Sequence, residues 1–556
     1  MTLERDPGRM RVPLGLLDDP ARQRQGVWLL DLRVAGGHAA IIGGPQSGKT
    51  TMLRTLAISL ALTSTPDEVA VYGLDLAGGG LAPITPFPHV GGVAGRSDRE
   101  RLRRTCEELR GMLDHREEVF RAHGIDSVQS LRARHAAGKL PELPSAEIVL
   151  LVDGFGAVRS DFEELEPLLT DLLQRGGGYG IHVVASLLRW NDVRIALQAT
   201  FGTRLELRLG DPADSSIDRR LAATLSGARP GRVLTQDKLL AQVALPRVDG
   251  LAGDIGLGDA VAEIAKAAEL AWPGRRAPRV RVLPSLVHPG DLPSRGEEPD
   301  RVPVGLDERA LEPVVLDLFD RDQHLVVLGD GECGKTNLLR HVAMGLADRW
   351  SPDELVLALF DPRRGLREVV GDDYVGGWAG NSKISGGLAA GIAKELERRM
   401  PAGDVTPTAL TDGPWFTGPR IVLLVDDYDV LTTAGQQPLA PFVPYLPSAR
   451  DIGLHVVVAR RHAGAARAVY EPFLQTIMET GATGLVMAGE RSEGQLFPGV
   501  WATRQPAGRG FWVRRGERTR LIQTTVAAEP GIRPGERPLR AAVDERGPGE
   551  RQVEAS

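Results

Sequence analysis

Two stretches of this chain fit the pattern G-x-x-x-x-G-K-[ST], and no other feature limits its fold as strongly. They read GGPQSGKTT at residues 43–51 and GDGECGKTN at residues 329–337. In this pattern the glycines let backbone N–H groups surround a phosphate chain, the lysine neutralises the chain and the hydroxyl ligates Mg²⁺. Each stretch follows a short apolar run and precedes a helical pattern, so the phosphate is expected at a helix N-terminus.

Both loops are therefore candidate binding sites for ATP and Mg²⁺. The residues of the first loop are Gly43, Gly44, Pro45, Gln46, Ser47, Gly48, Lys49, Thr50 and Thr51. Those of the second are Gly329, Asp330, Gly331, Glu332, Cys333, Gly334, Lys335, Thr336 and Asn337. We interpret the cysteine of the second loop as a small turn residue and not as a redox sensor.

The composition is that of a soluble globular protein with more than one domain. The chain has 556 residues, of which 42% are hydrophobic and 25% charged, and this length exceeds what one core normally holds. No apolar run reaches the ~18 residues of a membrane span, and the first residues lack the apolar core of a secretion signal. A cytoplasmic location is expected. The net charge of -6 gives no general electrostatic reason to bind nucleic acid.

An internal repeat relates the two halves of the chain. RVPLGLLDDP is echoed by RVPVGLDERA, TPDEVAVYGLD by SPDELVLALFD, HVGGVAG by YVGGWAG, EIVLLVDGF by RIVLLVDDY and YGIHVVAS by IGLHVVVAR, in the same order. A tandem duplication follows. We expect module one at 1–280, a Pro/Arg/Gly-rich linker at 281–300, module two at 301–526 and a disordered tail at 527–556.

Each module alternates strand and helix patterns. This alternation predicts an α/β fold with two tandem RecA-like P-loop NTPase modules, each a mainly parallel sheet flanked by helices. Ligands of such sheets bind at the carboxyl ends of the strands, where both loops fall.

A nucleotide site of this class also needs an acidic residue at a neighbouring strand end. The runs EIVLLVD and RIVLLVD end at Asp153 and Asp426. With Thr50 and Thr336, these aspartates complete the two predicted Mg²⁺ sites.

The general base that hydrolysis needs is degenerate in both modules. Many related ATPases place a glutamate directly after the aspartate, but here Gly154 and Asp427 occupy that position. Glycine has no side chain to accept a proton, and aspartate is one methylene shorter than glutamate. Both modules are expected to bind Mg·ATP well and to hydrolyse it slowly, unless Glu163 or Asp429 substitutes.

Three further residues are candidates for contact with a nucleotide, two of them with the γ-phosphate. Ser186 and Arg460 end the strands GIHVVAS and GLHVVVAR, in which His182 and His455 are interpreted as packed residues. Arg204 is a candidate to contact the nucleotide of a neighbouring subunit. Module two has Gly484 in its place, which argues against a ring of identical sites.

These motifs together resemble the FtsK/SpoIIIE-type ATPase modules of type VII (ESX) secretion systems, the EccC family. In module one the resemblance rests on VPLGLLDDPARQ, GGPQSGKTT, LDLAGGGL, PHVGGVAG, LLVDGFG, GTRLELRLGDP and ARPGRVL. In module two it rests on DGECGKTNLLR, FDPRRGL, YVGGWAGN, LLVDDYD, ARDIGLHVVVARR and AARAVYEPFLQ. It covers residues 1–525, and degenerate glutamate positions in the later modules are a trait of the family.

The resemblance implies a cytoplasmic motor subunit similar to EccCb, the separate half of the family without membrane helices. Such a subunit attaches to the inner membrane through a membrane-anchored EccCa-type partner and forms homo-oligomers in the assembled machine. It recognises WXG-type helical-hairpin substrates by a C-terminal signal, which an apolar pocket of the last module binds. The segment AARAVYEPFLQTIM offers apolar residues for this pocket, but its spacing is more typical of a core.

Two other functions remain open from the residues alone. The same modules power double-stranded DNA translocases, although the acidic balance and the absence of a basic helix-turn-helix tail argue against nucleic acid. The second alternative is a non-hydrolysing assembly adaptor, in which two tightly bound nucleotides stabilise the fold.

Overall fold

A computed structural model describes residues 10–34, 36–227, 229–401, 415–468 and 470–527. The chain divides into two compact units, residues 1–282 and 283–556, and this division lies within the stretch predicted as a linker. Most of the predicted disordered tail lies outside the described residues. Among the described residues, no helix is both long and apolar enough to cross a membrane.

The first unit is built on a sheet of ten described strands flanked by helices. The strands are β1 (Arg11–Asp19), β2 (Arg24–Asp31), β3 (Ala39–Ile42), β4 (Val69–Asp75), β5 (Val90–Gly95), β6 (Glu147–Asp153), β7 (Ile181–Leu187), β8 (Thr203–Glu206), β9 (Arg232–Thr235) and β10 (Leu240–Val243). The helices are α1 (Lys49–Thr63), α2 (Arg99–His123), α3 (Val128–Ala136), α4 (Ala157–Asp161), α5 (Glu166–Arg175), α6 (Ile195–Gln198), α7 (Arg219–Thr224) and α8 (Leu257–Ala271).

The second unit repeats this arrangement. Its described strands are β11 (Val302–Asp307), β12 (Pro313–Leu316), β13 (His324–Leu328), β14 (Leu355–Phe360), β15 (Val375–Ala379), β16 (Arg420–Val425), β17 (Leu454–Arg460), β18 (Thr483–Val486), β19 (Arg509–Val513) and β20 (Arg520–Thr524). Its helices are α9 (Lys335–Arg349), α10 (Ser382–Arg399), α11 (Tyr428–Leu431), α12 (Ala465–Ala468) and α13 (Pro472–Glu479).

The two sheets have the same topology. The first has the order β2-β1-β10-β9-β8-β3-β7-β6-β4-β5, and the second has β12-β11-β20-β19-β18-β13-β17-β16-β14-β15. In the first sheet the strands from β8 to β5 pair in parallel, and those from β8 to β2 pair antiparallel. The second sheet follows the same rule. The predicted α/β class with mainly parallel sheets is confirmed.

The parallel strands form because their sequences are apolar along their whole length. Every residue of β4, β6 and β7 is buried, which requires helices on both faces of the sheet. One apolar cluster packs α1 and α8 against one face, and a second packs α2 and α5 against the other. The strand ends that carry the predicted site residues are thereby fixed by a core on each side.

Candidate nucleotide sites

Each phosphate-binding loop joins a central parallel strand to the first turn of a long helix. The first loop follows β3 and enters α1 at Lys49, and the second follows β13 and enters α9 at Lys335. The backbone has positive φ at Gln46 (55°) and Gly48 (105°). A backbone of this kind turns successive N–H groups toward one concavity, which favours an anion.

The second loop has the same backbone as the first, since φ is 60° at Glu332 and 105° at Gly334. The glycine that precedes each helix is also required by space. A Cβ added to Gly48 would lie 3.0 Å from the backbone nitrogen of Gly231, and one added to Gly334 would lie 3.2 Å from that of Gly508. Both loops therefore present the same shape to a phosphate.

The two lysines make matching contacts within their loops. Lys49 Nζ donates to the carbonyl oxygens of Gly43 (2.7 Å) and Gly44 (2.8 Å). Lys335 Nζ donates in the same way to Gly329 and Asp330, at 2.8 Å each. Burial lowers the pKa of Lys49, and the charge of Asp153 opposes this shift.

The predicted metal ligands meet in pairs. Thr50 Oγ1 donates to Asp153 Oδ2 at 2.6 Å, and Thr336 Oγ1 donates to Asp426 Oδ2 at 2.6 Å. Burial raises the pKa of Asp426 to about 6, against the opposing effect of the Thr336 hydrogen bond. A bound cation reverses such a shift because it stabilises the carboxylate.

These donors fit Mg·ATP. Mg²⁺ prefers oxygen ligands and is usually held by one or two carboxylates together with substrate phosphates. The described residues include no cluster of three or more His, Cys, Asp or Glu side chains placed to hold a metal, so a metal held by protein side chains alone is not supported there. In the first loop Ser47 Oγ is buried without a hydrogen-bond partner, and a phosphate oxygen would satisfy it.

The cysteine of the second loop is a packed side chain. Cys333 replaces Ser47 in the repeat, is 4% exposed, and its Sγ lies 3.8 Å from Met487 Sδ. Burial raises the pKa of the Cys333 thiol. A thiol that stays protonated reacts slowly, which agrees with its interpretation as a turn residue.

Two further aspartates shape the sites, although sequence reasoning did not select them. Asp75, at the end of β4, accepts hydrogen bonds from the backbone nitrogens of Gly78, Gly79 and Leu81. The loop so formed brings Gly80 against Thr50 and within 3.6 Å of Asp153, measured from an added Cβ.

Asp361 follows β14 and holds the matching loop of the second unit through the backbone nitrogens of Gly365 and Leu366. In the sequence, both aspartates end corresponding strands of the internal repeat, VYGLD and LALFD, and this correspondence could have identified them. Their role was not evident because it depends on a loop that folds back on the strand end.

The residues after the two metal-site aspartates share a backbone conformation and differ in their contacts. Gly154 has φ 82° and Asp427 has φ 44°. The Asp427 carboxylate forms an ion pair with Arg363, whose Nε lies 2.9 Å from Oδ2. The proposed substitute base Asp429 accepts a hydrogen bond from the backbone nitrogen of Arg461.

The two strand-end candidates for γ-phosphate contact are placed differently. Ser186 Oγ donates to Asp153 Oδ1 at 2.5 Å and so belongs to the metal site. The Arg460 guanidinium turns to the carbonyl oxygens of Arg461 and Ala463, and it lies 3.8 Å from a carboxylate oxygen of Glu471. Only the serine contacts a predicted ligand of the metal.

The remaining candidates lie outside the loops. Arg204 is the second residue of β8, and its guanidinium lies over the Trp190 ring, 5.3 Å from the centroid. Its contact with a neighbouring subunit stays a prediction. His182 and His455 are 2% exposed, as expected for packed residues. In the candidate pocket segment Phe473, Leu474 and Ile477 belong to the core, whereas Tyr470 is exposed.

Comparison with known proteins agrees with this geometry. Residues 4–248 match the FtsK/SpoIIIE family. The ESX-1 secretion system protein EccCb1 of Mycolicibacterium smegmatis is 35% identical over 92% of this chain and 88% of its own length. The ESX secretion system protein EccC of Thermomonospora curvata is 44% identical over 93% of this chain, but the chain spans only 39% of that relative.

Solved structures give the same relationship. The structure described as Thermomonospora curvata EccC (ATPases 2 and 3) in complex with a signal sequence peptide matches with a TM-score of 0.73 and 43% identity, over 94% of each chain. EssC (ATPases 2 and 3) from Geobacillus thermodenitrificans has the same fold, with a TM-score of 0.68 at 19% identity over 93% of this chain and 96% of that one. The paired P-loop units and these matches place the chain in the EccC family of FtsK/SpoIIIE-type ATPases from ESX secretion systems.

Proposed function

We propose that this protein is an ATP-binding subunit of a type VII (ESX) secretion machine, binding Mg·ATP in both modules and recognising WXG-type substrates with module two. The observation that carries the proposal is the matched pair of sites, each with a lysine, a threonine and an aspartate in the same geometry, in a chain that resembles EccCb1 along most of its length. The subunit acts on the cytoplasmic side, within a homo-oligomeric machine that a membrane-anchored EccCa-type partner attaches to the inner membrane.

Within each site, different residues bind the phosphates and the Mg²⁺ ion. The loop N–H groups and the lysine bind the phosphates, and the threonine hydroxyl and the aspartate carboxylate hold Mg²⁺. Bound Mg·ATP supplies the phosphoanhydride bond whose cleavage drives a motor of this class. Turnover is expected to be slow because neither module has a glutamate at the position of the general base.

Binding stoichiometry tests this proposal. The full chain should bind two equivalents of fluorescent ATP in the presence of Mg²⁺, and Lys49→Ala and Lys335→Ala should each retain one. Loss of a buried charged contact costs about 2–5 kcal/mol, so the affected site should become undetectable at micromolar nucleotide. Zero occupancy in folded wild-type protein would contradict the proposal.

The edge of the second sheet is the proposed docking site for the substrate signal. In the first unit the edge strand β5 is covered by the segment after α8, since the backbone nitrogens of Ala277 and Val280 donate to Pro88 and Gly91. The Tyr72 hydroxyl fixes this segment through the Pro278 carbonyl at 2.7 Å. An extended segment can thus add to this edge of the repeat.

The matching edge of the second unit is more open. Gly376 of β15 is exposed, whereas its counterpart Gly91 is buried. Ala358 stands where the first unit has Tyr72. Trp378 is 39% exposed and borders a cavity of about 640 Å³. The cavity is lined by both apolar and charged side chains, so these features support an extended peptide with an apolar residue that contacts Trp378.

A peptide with the C-terminal signal of a WXG-type substrate tests the docking site. Trp378→Ala should weaken its binding at least about tenfold, because a buried aromatic anchor contributes 2 kcal/mol or more. Trp501→Ala is the control, since Trp501 is 38% exposed and follows β18, away from this edge. Equal effects of the two substitutions would place the peptide elsewhere.

The partners are tested in cells that secrete actively. The full chain used as bait should capture a membrane-anchored ATPase of the same family together with small helical substrates. Recovery of DNA with a recombinase would favour the DNA translocase instead. ATP turnover that stays undetectable with partner and substrate would favour the adaptor.

A further inference from the structure

The two modules differ together at two positions that face each other. Gly154 follows the metal-site aspartate of the first module, and Ala77 lies two residues after Asp75 in the folded-back loop. The second module has Asp427 and Arg363 at the matching positions. A neutral, small pair in one module thus corresponds to a pair of opposite charges in the other.

The backbone explains why these positions are coupled. Both Gly154 and Asp427 have positive φ, a conformation that directs the Cβ toward the folded-back loop. A Cβ added to Gly154 would lie 3.3 Å from both the Cβ and the backbone nitrogen of Ala77. In the second module the same direction leads the Asp427 carboxylate to Arg363, at 2.9 Å.

The two side chains of this ion pair differ in their exposure to solvent. The Asp427 side chain is only 12% exposed, whereas that of Arg363 is 55% exposed. The Asp427 backbone nitrogen also donates to Asp426 Oδ1 at 3.0 Å, which fixes the residue beside the metal site. A carboxylate at the position of the general base is therefore held by a cation that a partner can reach from solvent.

We propose that Arg363 is a positioning residue that restrains the Asp427 carboxylate and keeps the second site in a state of low turnover. This inference rests on the proposed function, because it concerns ATP hydrolysis at that site. Movement of the exposed guanidinium away from this pair frees the carboxylate. At the matching positions of the first module, Ala77 and Gly154 supply neither a cation nor a carboxylate.

The chemistry that release permits is general base catalysis. A water oxygen bonds to the γ-phosphorus, the bond from that phosphorus to the β,γ-bridging oxygen breaks, and Asp427 takes the proton that the water loses. ADP and phosphate are the products. While the carboxylate is paired with Arg363, it is directed at the guanidinium and not at the attacking water.

Steady-state ATP hydrolysis by the full chain tests the restraint. All variants carry Lys49→Ala, so that the measured hydrolysis comes from the second site alone. General base catalysis contributes about 10²–10⁴-fold, and even its partial recovery in Arg363→Ala and Arg363→Gln should raise kcat about tenfold. KM should change less than about twofold, because the loop and the lysine are untouched. Arg363→Lys, which keeps the positive charge, should keep kcat low.

Two further variants separate the restraint from other effects of the substitution. Arg363→Ala combined with Asp427→Asn should show no rise, since the released group is then an amide. Arg398→Ala is the matched control, because Arg398 is also exposed and pairs with Glu395 at 2.8 Å, but on α10. It should not raise kcat.

The outcomes that overturn the inference are distinct from failure of the proposed function. Fluorescent ATP binding is measured on every variant. If the second site binds ATP and kcat does not rise in either Arg363→Ala or Arg363→Gln, the restraint does not exist. A rise that persists with Asp427→Asn would show that Asp427 is not the released base. If the second site binds no ATP, the proposed function fails and the inference falls with it.

Discussion

At the level of single residues, backbone conformation decides what can follow the metal-site aspartate. The left-handed conformation of Gly154 (φ 82°) is costly for residues with a side chain. The added contact with Ala77 at 3.3 Å makes the position tighter still. Gly154 therefore lacks a carboxylate for catalysis, but it is also the residue that best fits the backbone conformation of this turn.

Substitution of this glycine should destabilise the first unit. Gly154→Ala is expected to lower its free energy of unfolding by about 1–2 kcal/mol, the cost of the left-handed conformation for an L-residue. Urea unfolding of the full chain, followed by circular dichroism, measures the change. Gly111→Ala is the control, since Gly111 lies in α2 with nothing within 4 Å of an added Cβ.

The control should move in the opposite direction. Alanine is favoured over glycine inside a helix by about 0.5–1 kcal/mol, so Gly111→Ala should stabilise the same unit. If both substitutions shift the unfolding midpoint in the same direction, the left-handed conformation does not set the cost at residue 154.

At the level of elements, a buried charge network joins β6, β7 and α3 at the amino end of the first sheet. Glu147 Oε2 lies 2.8 Å from His182 Nε2, and Arg132 forms an ion pair with the same carboxylate. Burial alone would raise the pKa of Glu147, but the hydrogen bond and charge of His182 and the charge of Arg132 hold it below its ordinary value. The network fixes the start of the strand whose other end carries Asp153.

Replacement of Glu147 should destabilise the first unit in a way that depends on pH. Glu147→Gln leaves the largely buried Arg132 guanidinium without its anion, which costs about 3–5 kcal/mol near neutral pH. Because the folded pKa is depressed, the carboxylate contributes its full stability above the unfolded pKa of about 4.3, and this contribution is lost as the pH falls through the folded pKa. Wild type and variant should therefore converge in acid.

Urea midpoints from pH 7 down to pH 3.5 measure this convergence. Glu263→Gln is the control, because Glu263 pairs with Lys266 on the exposed surface of α8 and should change stability by less than about 1 kcal/mol at every pH. A difference between wild type and Glu147→Gln that stays constant with pH would show that folding does not lower the pKa of Glu147.

The parallel half of each sheet could be predicted from sequence, but the antiparallel half could not. Buried parallel strands such as β6 are continuous apolar runs, and the phosphate-loop pattern marks the end of β3 without help from the rest of the chain. By contrast, β1 pairs with β10 across more than 200 residues, and no local pattern encodes such a partner.

The candidate sites show the same division. Their lysines, threonines and first aspartates follow from motifs of fixed spacing. The pairing of Arg363 with Asp427 does not, because it depends on a folded-back loop and on a left-handed residue whose side chain direction is invisible in the sequence. Two residues that are 64 positions apart become neighbours only when β14 and β16 pair.

At the level of the whole molecule, duplication has kept one topology and let the two sites diverge. Both units have sheets of the same strand order and loops of the same backbone conformation. They differ at the position after the metal-site aspartate and in what covers the edge strand. Binding geometry is therefore common to both units, whereas turnover and peptide recognition are expected to belong to the second.

Two units with separate sites should respond separately to nucleotide. A ligand that binds only the folded form at 100 times its Kd stabilises by about 2.7 kcal/mol, and each kcal/mol raises the Tm of a unit of this size by about 2–4 °C. Calorimetry of the full chain should show two transitions, each raised by about 5–10 °C with Mg·ATP. Lys49→Ala should remove the shift of the first unit alone, and Lys335→Ala that of the second.

The transitions can be assigned without touching either nucleotide loop. Glu147→Gln lies at the amino end of β6, away from Asp153 at its carboxyl end, so it should lower the transition of the first unit and leave its nucleotide-induced shift intact. The transition that it lowers must then be the one that Lys49→Ala makes insensitive to Mg·ATP. If Lys49→Ala instead abolishes the shift of the other transition, or of both, the two sites do not stabilise their own units independently. Nucleotide binding in one module would then change the stability of both.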